Sequence, residues 1–232
     1  MKIALVSGAS KGIGLSIKKK FEENGILAVG ISRNKSKIKN HKICDVRSEK
    51  DIIHLVDELV KKYKKIDILV NNAGIVTTGD IFETNLNEWN EVISTNLTGA
   101  YLLSKYVLKN MIKNENGKII NISSIAGRAL SKVASAEYTC SKYGLIGLTK
   151  QLAYKYAKYN INVNCVCPSQ TNTEMLENNI DKKTLSKIID QIPARRLANP
   201  NEIADLVYFL ASEKSNYING TAIDINGAQV FV

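Results

Sequence analysis

The chain of 232 residues has only two histidines and four cysteines, and no C-x-x-C pair. His41 and His54 with Cys44, Cys140, Cys165 and Cys167 offer no spacing that suits a metal ion. The cysteines lie within apolar or motif segments and read as buried thiols. No apolar run approaches the ~18 residues needed to cross a membrane. The first residues run straight into a strand pattern, without a signal or transit segment, so a cytoplasmic location is expected. Internal repeats, low-complexity tracts and linkers are also missing. A chain of this length buries a substantial core without disulfides or metals, and one domain over 1–232 is expected.

What is present begins with charge. The formal net charge is +10, with lysines clustered at Lys18 to Lys20, Lys35 to Lys42 and Lys61 to Lys65. Those clusters carry no interleaved aromatics and fall in different elements. They read as solvated surface rather than as a nucleic-acid face.

Apolar runs at 2–7, 26–32, 42–46, 66–71, 117–123, 161–167 and 221–225 alternate with helical patterns at 13–24, 49–64, 87–114, 136–159 and 200–212. Alternating β and α segments predict a mainly parallel sheet covered on both faces, with right-handed crossovers. The long irregular stretch is 169–195. It follows the C-terminal edge of the sixth strand, where ligands sit in open α/β sheets, so a substrate lid is expected there.

Two short motifs carry chemistry. The opening IALVSGASKGIG breaks from a strand into a glycine turn and then a helix. Gly8 permits the tight turn. Gly12 and Gly14 remove side chains where a pyrophosphate would approach the helix N-terminus. The second motif is YTCSK at 138–142, which places Tyr138 and Lys142 four residues apart on one helix face. A phenol has a pKa near ~10, and a neighbouring ammonium favours the phenolate. That makes Tyr138 a candidate proton donor whose pKa Lys142 lowers.

With these two motifs stand CDV at 44–46, NNAG at 71–74, Asn96, NISS at 121–124 and CPSQTNTEM at 167–175. In this order the chain resembles a short-chain dehydrogenase/reductase of the compact type along nearly its whole length. The resemblance implies a three-layer, doubly wound Rossmann fold with a mainly parallel seven-stranded sheet and helices on both faces. It implies a nicotinamide cofactor and a small carbonyl or alcohol substrate. It also implies a homo-oligomer, a dimer or tetramer paired through the helices near 87–114 and 136–159.

Roles follow by motif. Tyr138 is the expected general acid in reduction, and Lys142 lowers its pKa and holds the nicotinamide ribose. Ser124 holds the substrate oxygen, and Asn96 kinks its helix and anchors a water relay to the lysine. The cofactor is expected on Gly8, Ser10, Lys11, Gly12, Ile13 and Gly14, then on Asp45 and Val46 beside the adenine. Asn72, Ala73 and Gly74 lie beneath the ribose, and Pro168, Thr171 and Thr173 border the nicotinamide. The second strand ends GISRN, without the carboxylate that would hold a ribose 2′-hydroxyl. Arg33 and Lys11 instead suit a 2′-phosphate, so NADP(H) is expected.

Substrate identity is less marked. The tail QIPARRLANPNEIADLVYFLAS resembles that of 3-oxoacyl-thioester reductases, and it recurs in reductases of sugars and small ketones. Arg128, Arg195 and Arg196 are candidates for binding a substrate carboxylate or phosphate. A catalytically silent NADPH-binding sensor or scaffold is the alternative from another class. Three departures stand out: Ser169 where the family has glycine, one extra residue between Ser124 and Tyr138, and Ala228 where many relatives carry a second glycine.

Overall fold

The computed structural model describes residues 1–131, 133–174, 176 and 182–232. Seven parallel strands form one sheet in the order β3-β2-β1-β4-β5-β6-β7. They are β1 (Ile3–Ser7), β2 (Leu27–Ser32), β3 (His41–Ile43), β4 (Ile68–Asn71), β5 (Gly117–Ile122), β6 (Ile161–Pro168) and β7 (Ala222–Ile225). Every residue of β1, β4, β5 and β6 is buried, as expected of strands covered on both faces.

Alternation along β1 divides the core. Leu5 points to one face, against α2 (Glu49–Tyr63) and α4 (Gly99–Lys113), while Ala4 and Val6 point to the other. There they meet Ile17 and Phe21 of α1 (Gly12–Glu23) and Ile203, Val207 and Leu210 of the helix Pro200–Leu210. The apolar face of α2 shows why it docks: Ile52, Leu55, Val56 and Leu59 recur at helical spacing and are buried. Each such side chain contributes roughly 1.5–3 kcal/mol on burial.

The helical stretch expected at 87–114 is α3 (Leu86–Ile93) and α4, joined through a π-helical turn at Ser94–Thr98. The long helix α5 (Ala136–Tyr156) follows β5. The segment 169–195 is not wholly irregular: it contains α6 (Lys182–Gln191), followed by α7, the helix Pro200–Leu210. Ile188 and, just past the helix, Ile192 are buried and, with Leu185 and Ile189, form an apolar face that the lysines and other polar residues of α6 mask in composition. The part of the expected lid at 175 and 177–181 lies outside the described residues, as does Lys132 in the lengthened loop before Tyr138. No helix among the described residues is long and apolar enough to cross a membrane.

Three cysteines are buried as expected, but Cys140 is exposed on α5. Its position in YTCSK faces away from the sheet. Burial pushes the Cys44 thiol up to about 12. Of the departures, Ser169 causes no backbone conflict, since it is absent from the residues with positive φ. Ala228 does, with φ +66°. A Cβ in the left-handed region costs roughly 1–2 kcal/mol, partly offset by the entropy glycine loses on folding. Ala228→Gly is therefore expected to stabilise the protein by about 0.5–1 kcal/mol, a rise of roughly 2 °C in the thermal midpoint. An unchanged or lower midpoint in a melting experiment would contradict this.

Candidate active site

The chain order reverses between β1 and β4, and a cleft of about 380 Å³ opens beyond the C-terminal ends of these strands. β1 runs into Gly8 (φ +66°), and the turn closes at Gly12 (φ +55°), where α1 begins. No side chain caps that helix and its first turn holds no acidic residue, so its N–H groups are not matched by the chain's own charge.

The glycines differ in what they accommodate. A Cβ on Gly14 would lie 2.3 Å from the Gly8 carbonyl oxygen and 2.4 Å from Asn72 Nδ2. Its missing side chain lets α1 seat against the turn itself, and Gly14 does not line the cleft. A Cβ on Gly12 would meet Thr173 Cγ2 at 3.3 Å. That Thr173 contact and the Lys11–Glu174 ion pair at 3.0 Å bring the residues after β6 over the glycine turn.

Ser7, a residue the motif reading passed over, stitches the turn to the neighbouring strand. Its buried hydroxyl accepts from the N–H groups of Asn72 and Ala73, each at 3.0 Å, and donates to the Val70 carbonyl. Asn72 returns the link by donating through Nδ2 to the Ser7 carbonyl at 2.9 Å. The backbone of Asn72, Ala73 and Gly74 is thereby fixed along the cleft floor. Ser10, Lys11 and Ile13 line the cleft at the turn, and Pro168, Thr171 and Thr173 line it beyond β6.

At the far end stand Ser32, Arg33, Cys44 and Val46. Arg33 is half-exposed, 3.8 Å from Glu91, so Lys11 and Arg33 each face a carboxylate rather than each other. Asp45 does not line the cleft. Its carboxylate is held by Arg47, with contacts of 3.0 and 2.6 Å, and that guanidinium keeps it below the usual carboxylate range.

The other end is built from β5, the π-helical turn and α5. Asn96, 1% exposed, grips the backbone of Ile75 in both senses: Oδ1 accepts from its N–H at 2.8 Å and Nδ2 donates to its carbonyl at 2.9 Å. The same amide donates to Ser141 on α5 at 3.1 Å. The widened turn at Ser94–Thr98 is the helix distortion expected of this residue.

Ser124, two residues beyond β5, accepts from the Ala126 N–H at 3.1 Å, so it caps the short turn Ile125–Gly127 and still lines the cleft. Its neighbour Ser123 donates to the Lys142 carbonyl at 2.8 Å and holds α5 against β5. Tyr138 and Lys142 both reach the cleft, with the Lys142 ammonium 5.5 Å from the centre of the Tyr138 ring. Lys142 donates to the Ile122 carbonyl at 2.9 Å.

Electrostatics here departs from expectation. Burial pushes the Tyr138 phenol up from 10.0, and the Ser124 hydroxyl opposes this only in part. The same burial pulls Lys142 down to about 8. A lysine that is costly to keep charged does little to lower a neighbour's pKa. Desolvation outweighs the Tyr138–Lys142 pairing.

Glu137, beside Tyr138 in sequence, gave no signal because its function is spatial. It is 1% exposed and accepts from Thr77 at 2.7 Å and from Thr84, tying α5 to the segment after β4. Burial raises its pKa, but the hydrogen bonds from Thr77, Ser135 and Thr84 win and the net shift is downward.

The three candidate arginines are already engaged. Arg128 makes a two-pronged contact with Asp224 at 3.0 and 3.1 Å, Arg195 faces Asp190 at 3.7 Å, and Arg196 pairs with Glu202 at 2.7 Å. None lines the cleft, so their assignment to substrate binding is corrected. The cleft is lined instead by the apolar Val76, Ile125, Val133, Ala134 and Leu176, together with the polar Thr78 and Ser131. Gln170 adds a buried amide oxygen that has no partner among the described residues.

Comparison with known proteins agrees with this arrangement. A family model described as enoyl-(acyl carrier protein) reductase matches residues 8–227. The 3-oxoacyl-(acyl-carrier-protein) reductase of Buchnera aphidicola subsp. Baizongia pistaciae is 35% identical, over 97% of this chain and 96% of its own. The acetoacetyl-CoA reductase of Shinella zoogloeoides is 37% identical, over 100% and 99%. In structure, the ligand-free aldohexose dehydrogenase of Thermoplasma acidophilum superposes with a TM-score of 0.92 at 34% identity, covering 98% of this chain and 93% of that one. With the motifs, the parallel sheet and these full-length matches in agreement, the chain belongs to the short-chain dehydrogenase/reductase family, oxidoreductases acting on carbonyl and hydroxyl groups.

Proposed function

We propose that the protein is an NADPH-dependent carbonyl reductase, able to run in reverse as an alcohol dehydrogenase, with Tyr138 as proton donor. The observation that carries this is the meeting of Ser124, Tyr138 and Lys142 in the same cleft as the glycine turn. The residues fit a dinucleotide. Gly8 and Gly12 line the cleft with backbone alone, and α1 presents uncapped N–H groups there. Asn72 to Gly74 would support the adenosine ribose, Lys142 the nicotinamide ribose, and Thr171 and Thr173 the carboxamide. Val46 would border the adenine, with Asp45 behind it. Arg33, with Lys11 freed from Glu174, would take the 2′-phosphate.

When bound, the cofactor supplies the hydride. The chain supplies position and a proton. Ser124 donates to the substrate oxygen and stabilises the charge that gathers on it. Tyr138 then gives that oxygen its proton. Lys142 stands below the phenol as the route by which the proton is replaced, with Asn96 holding the backbone of Ile75 beside it. The residues from 169 to 195 form a substrate lid in this reading, with Thr173 and Glu174 resting on the glycine turn.

The preferred substrate is a 3-oxoacyl thioester. The apolar wall of Val76, Ile125, Val133 and Leu176 suits an acyl chain, and relatives named for 3-oxoacyl and acetoacetyl reduction match over the full length. The aldohexose dehydrogenase likeness supports a second reading, a sugar substrate, for which the Gln170 amide oxygen, without a partner among the described residues, is a suitable hydroxyl acceptor. The test is oxidation of NADPH by the purified protein with acetoacetyl-CoA, beside NADH and beside an aldohexose with NADP⁺. Turnover on the thioester with NADPH preferred is expected. Turnover on the sugar alone would replace the substrate, and a preference for NADH would replace the cofactor.

A further inference from the structure

We infer that His41, which lies outside the cleft on β3, is a positioning residue for cofactor choice: it fixes Ser32 as a hydrogen-bond donor toward the 2′-phosphate. The inference rests on the NADPH reading and adds a residue behind Arg33. Ser32 ends β2 and lines the cleft beside Arg33. Its hydroxyl oxygen lies 2.7 Å from His41 Nε2, and it donates to the Asn34 carbonyl at 3.0 Å.

The tautomer follows from counting protons. A serine hydroxyl has one proton to give. His41 Nδ1 is buried and has no partner among the described residues. With the proton on Nε2 both contacts are hydrogen bonds, the ring donating to Ser32 Oγ and the hydroxyl donating to Asn34; with it on Nδ1 the single hydroxyl proton could serve only one of them. The proton therefore sits on Nε2 and is donated to Ser32 Oγ, leaving Nδ1 as a bare acceptor. Surroundings keep the ring neutral: burial, then the nearby Lys18, lower its pKa. Lys18 is itself buried, its ammonium held by Glu22 at 2.6 Å. A side chain on Gly30 would strike His41 Nδ1 at 2.9 Å and Lys18 at 3.2 Å, so the ring is tightly seated.

The relay runs one way: His41 to Ser32, then Ser32 to Asn34. Its last acceptor is exchangeable, because rotation of the hydroxyl proton from the Asn34 carbonyl aims it at a cleft ligand. An ionised 2′-phosphate offers acceptor oxygens to Arg33 and to Ser32, and so matches a fixed donor. A 2′-hydroxyl must also place a proton of its own. Without His41 the hydroxyl rotates freely, its proton is no longer held in the direction of the cleft, and discrimination between the cofactors weakens.

The experiment measures the Kd of NADPH and of NADH by fluorescence titration, and kcat/KM for both, in the wild type, His41→Leu, Ser32→Ala and the double variant. In the wild type NADPH is preferred. In His41→Leu the NADPH/NADH ratio is expected to fall about tenfold through KM for NADPH, with kcat retained. In the double variant the fall should be no greater than in Ser32→Ala alone, because the two residues act through one hydrogen bond. Circular dichroism and NADH turnover of the same preparations establish that each variant is folded. A ratio unchanged in His41→Leu, or effects of the two substitutions that simply multiply, would overturn the His41 inference and leave the NADPH reading standing. A wild type that prefers NADH would overturn both.

Discussion

Tyr138→Phe is expected to lower turnover by about 10²–10⁴-fold while NADPH still binds with little change in affinity. The substitution removes one oxygen from a ring that is otherwise held in place on α5, so packing survives. Ser124 remains to hold the substrate oxygen, which accounts for any residual rate. The phenol has been pushed above its ordinary value by burial, and it keeps its proton throughout the neutral range. Reduction, which consumes that proton, should therefore be flat with pH near neutrality, whereas oxidation, which needs the phenolate, should climb as pH rises. Steady-state rates in both directions, beside fluorescence titration with NADPH, test this. A variant that retains full turnover would remove Tyr138 from the chemistry and revive the silent sensor or scaffold as an explanation of the site.

The features that could be read without coordinates are those in which local sequence and position coincide. The glycine turn, the apolar strands and the Tyr138–Lys142 spacing are each encoded within a few residues, and each folds where its pattern placed it. What escaped the sequence depends on distant partners. Nothing local announces that Arg128 meets Asp224, or that Lys11 meets Glu174 across the cleft. Gly14 belongs to the same class, since its missing side chain answers to Asn72 and Gly8 rather than to a ligand. The helix α6 was hidden differently: Leu185, Ile188, Ile189 and Ile192 have helical spacing, but the polar residues around them give the whole stretch the composition of a loop.

The sign of the Tyr138 shift is a further lesson of the same kind. An i, i+4 ammonium suggests a lowered phenol pKa only if the ammonium is itself comfortable as a cation. Here the lysine is 5% exposed, and its surroundings include the buried thiols of Cys165 and Cys167. Their influence on Lys142 is smaller than that of burial. Sequence spacing specifies the pair; the dielectric around it decides which member yields.

That cost makes Lys142→Met the second large expected effect, in two opposite directions. Turnover should fall by about 10²–10⁴-fold, because the proton route beneath Tyr138 and the contact to the nicotinamide ribose that we propose for Lys142 would both be removed. Stability should rise. An unfolded lysine keeps its proton up to 10.5, and the folded one releases it above about 8. The penalty for charging Lys142 in the fold is thus present in full below about pH 8 and fades as pH rises toward 10.5. At about 1.4 kcal/mol per unit, it amounts to roughly 3 kcal/mol at pH 7. Methionine keeps an unbranched stem of similar size, but leaves the Ile122 carbonyl without the lysine donor, a loss of about 1–2 kcal/mol. The net expectation is a variant about 1–2 kcal/mol more stable than the wild type at pH 7, with the advantage shrinking or reversing by pH 10. Denaturant midpoints at the two pH values measure it. If the variant is inactive and also less stable at pH 7, burial is not what sets the charge on Lys142; if it gains stability equally at both, the gain comes from packing rather than from the proton. The combination expected here, lost activity with gained stability at neutral pH, would place the cost of a buried cation at the point where the chemistry requires it.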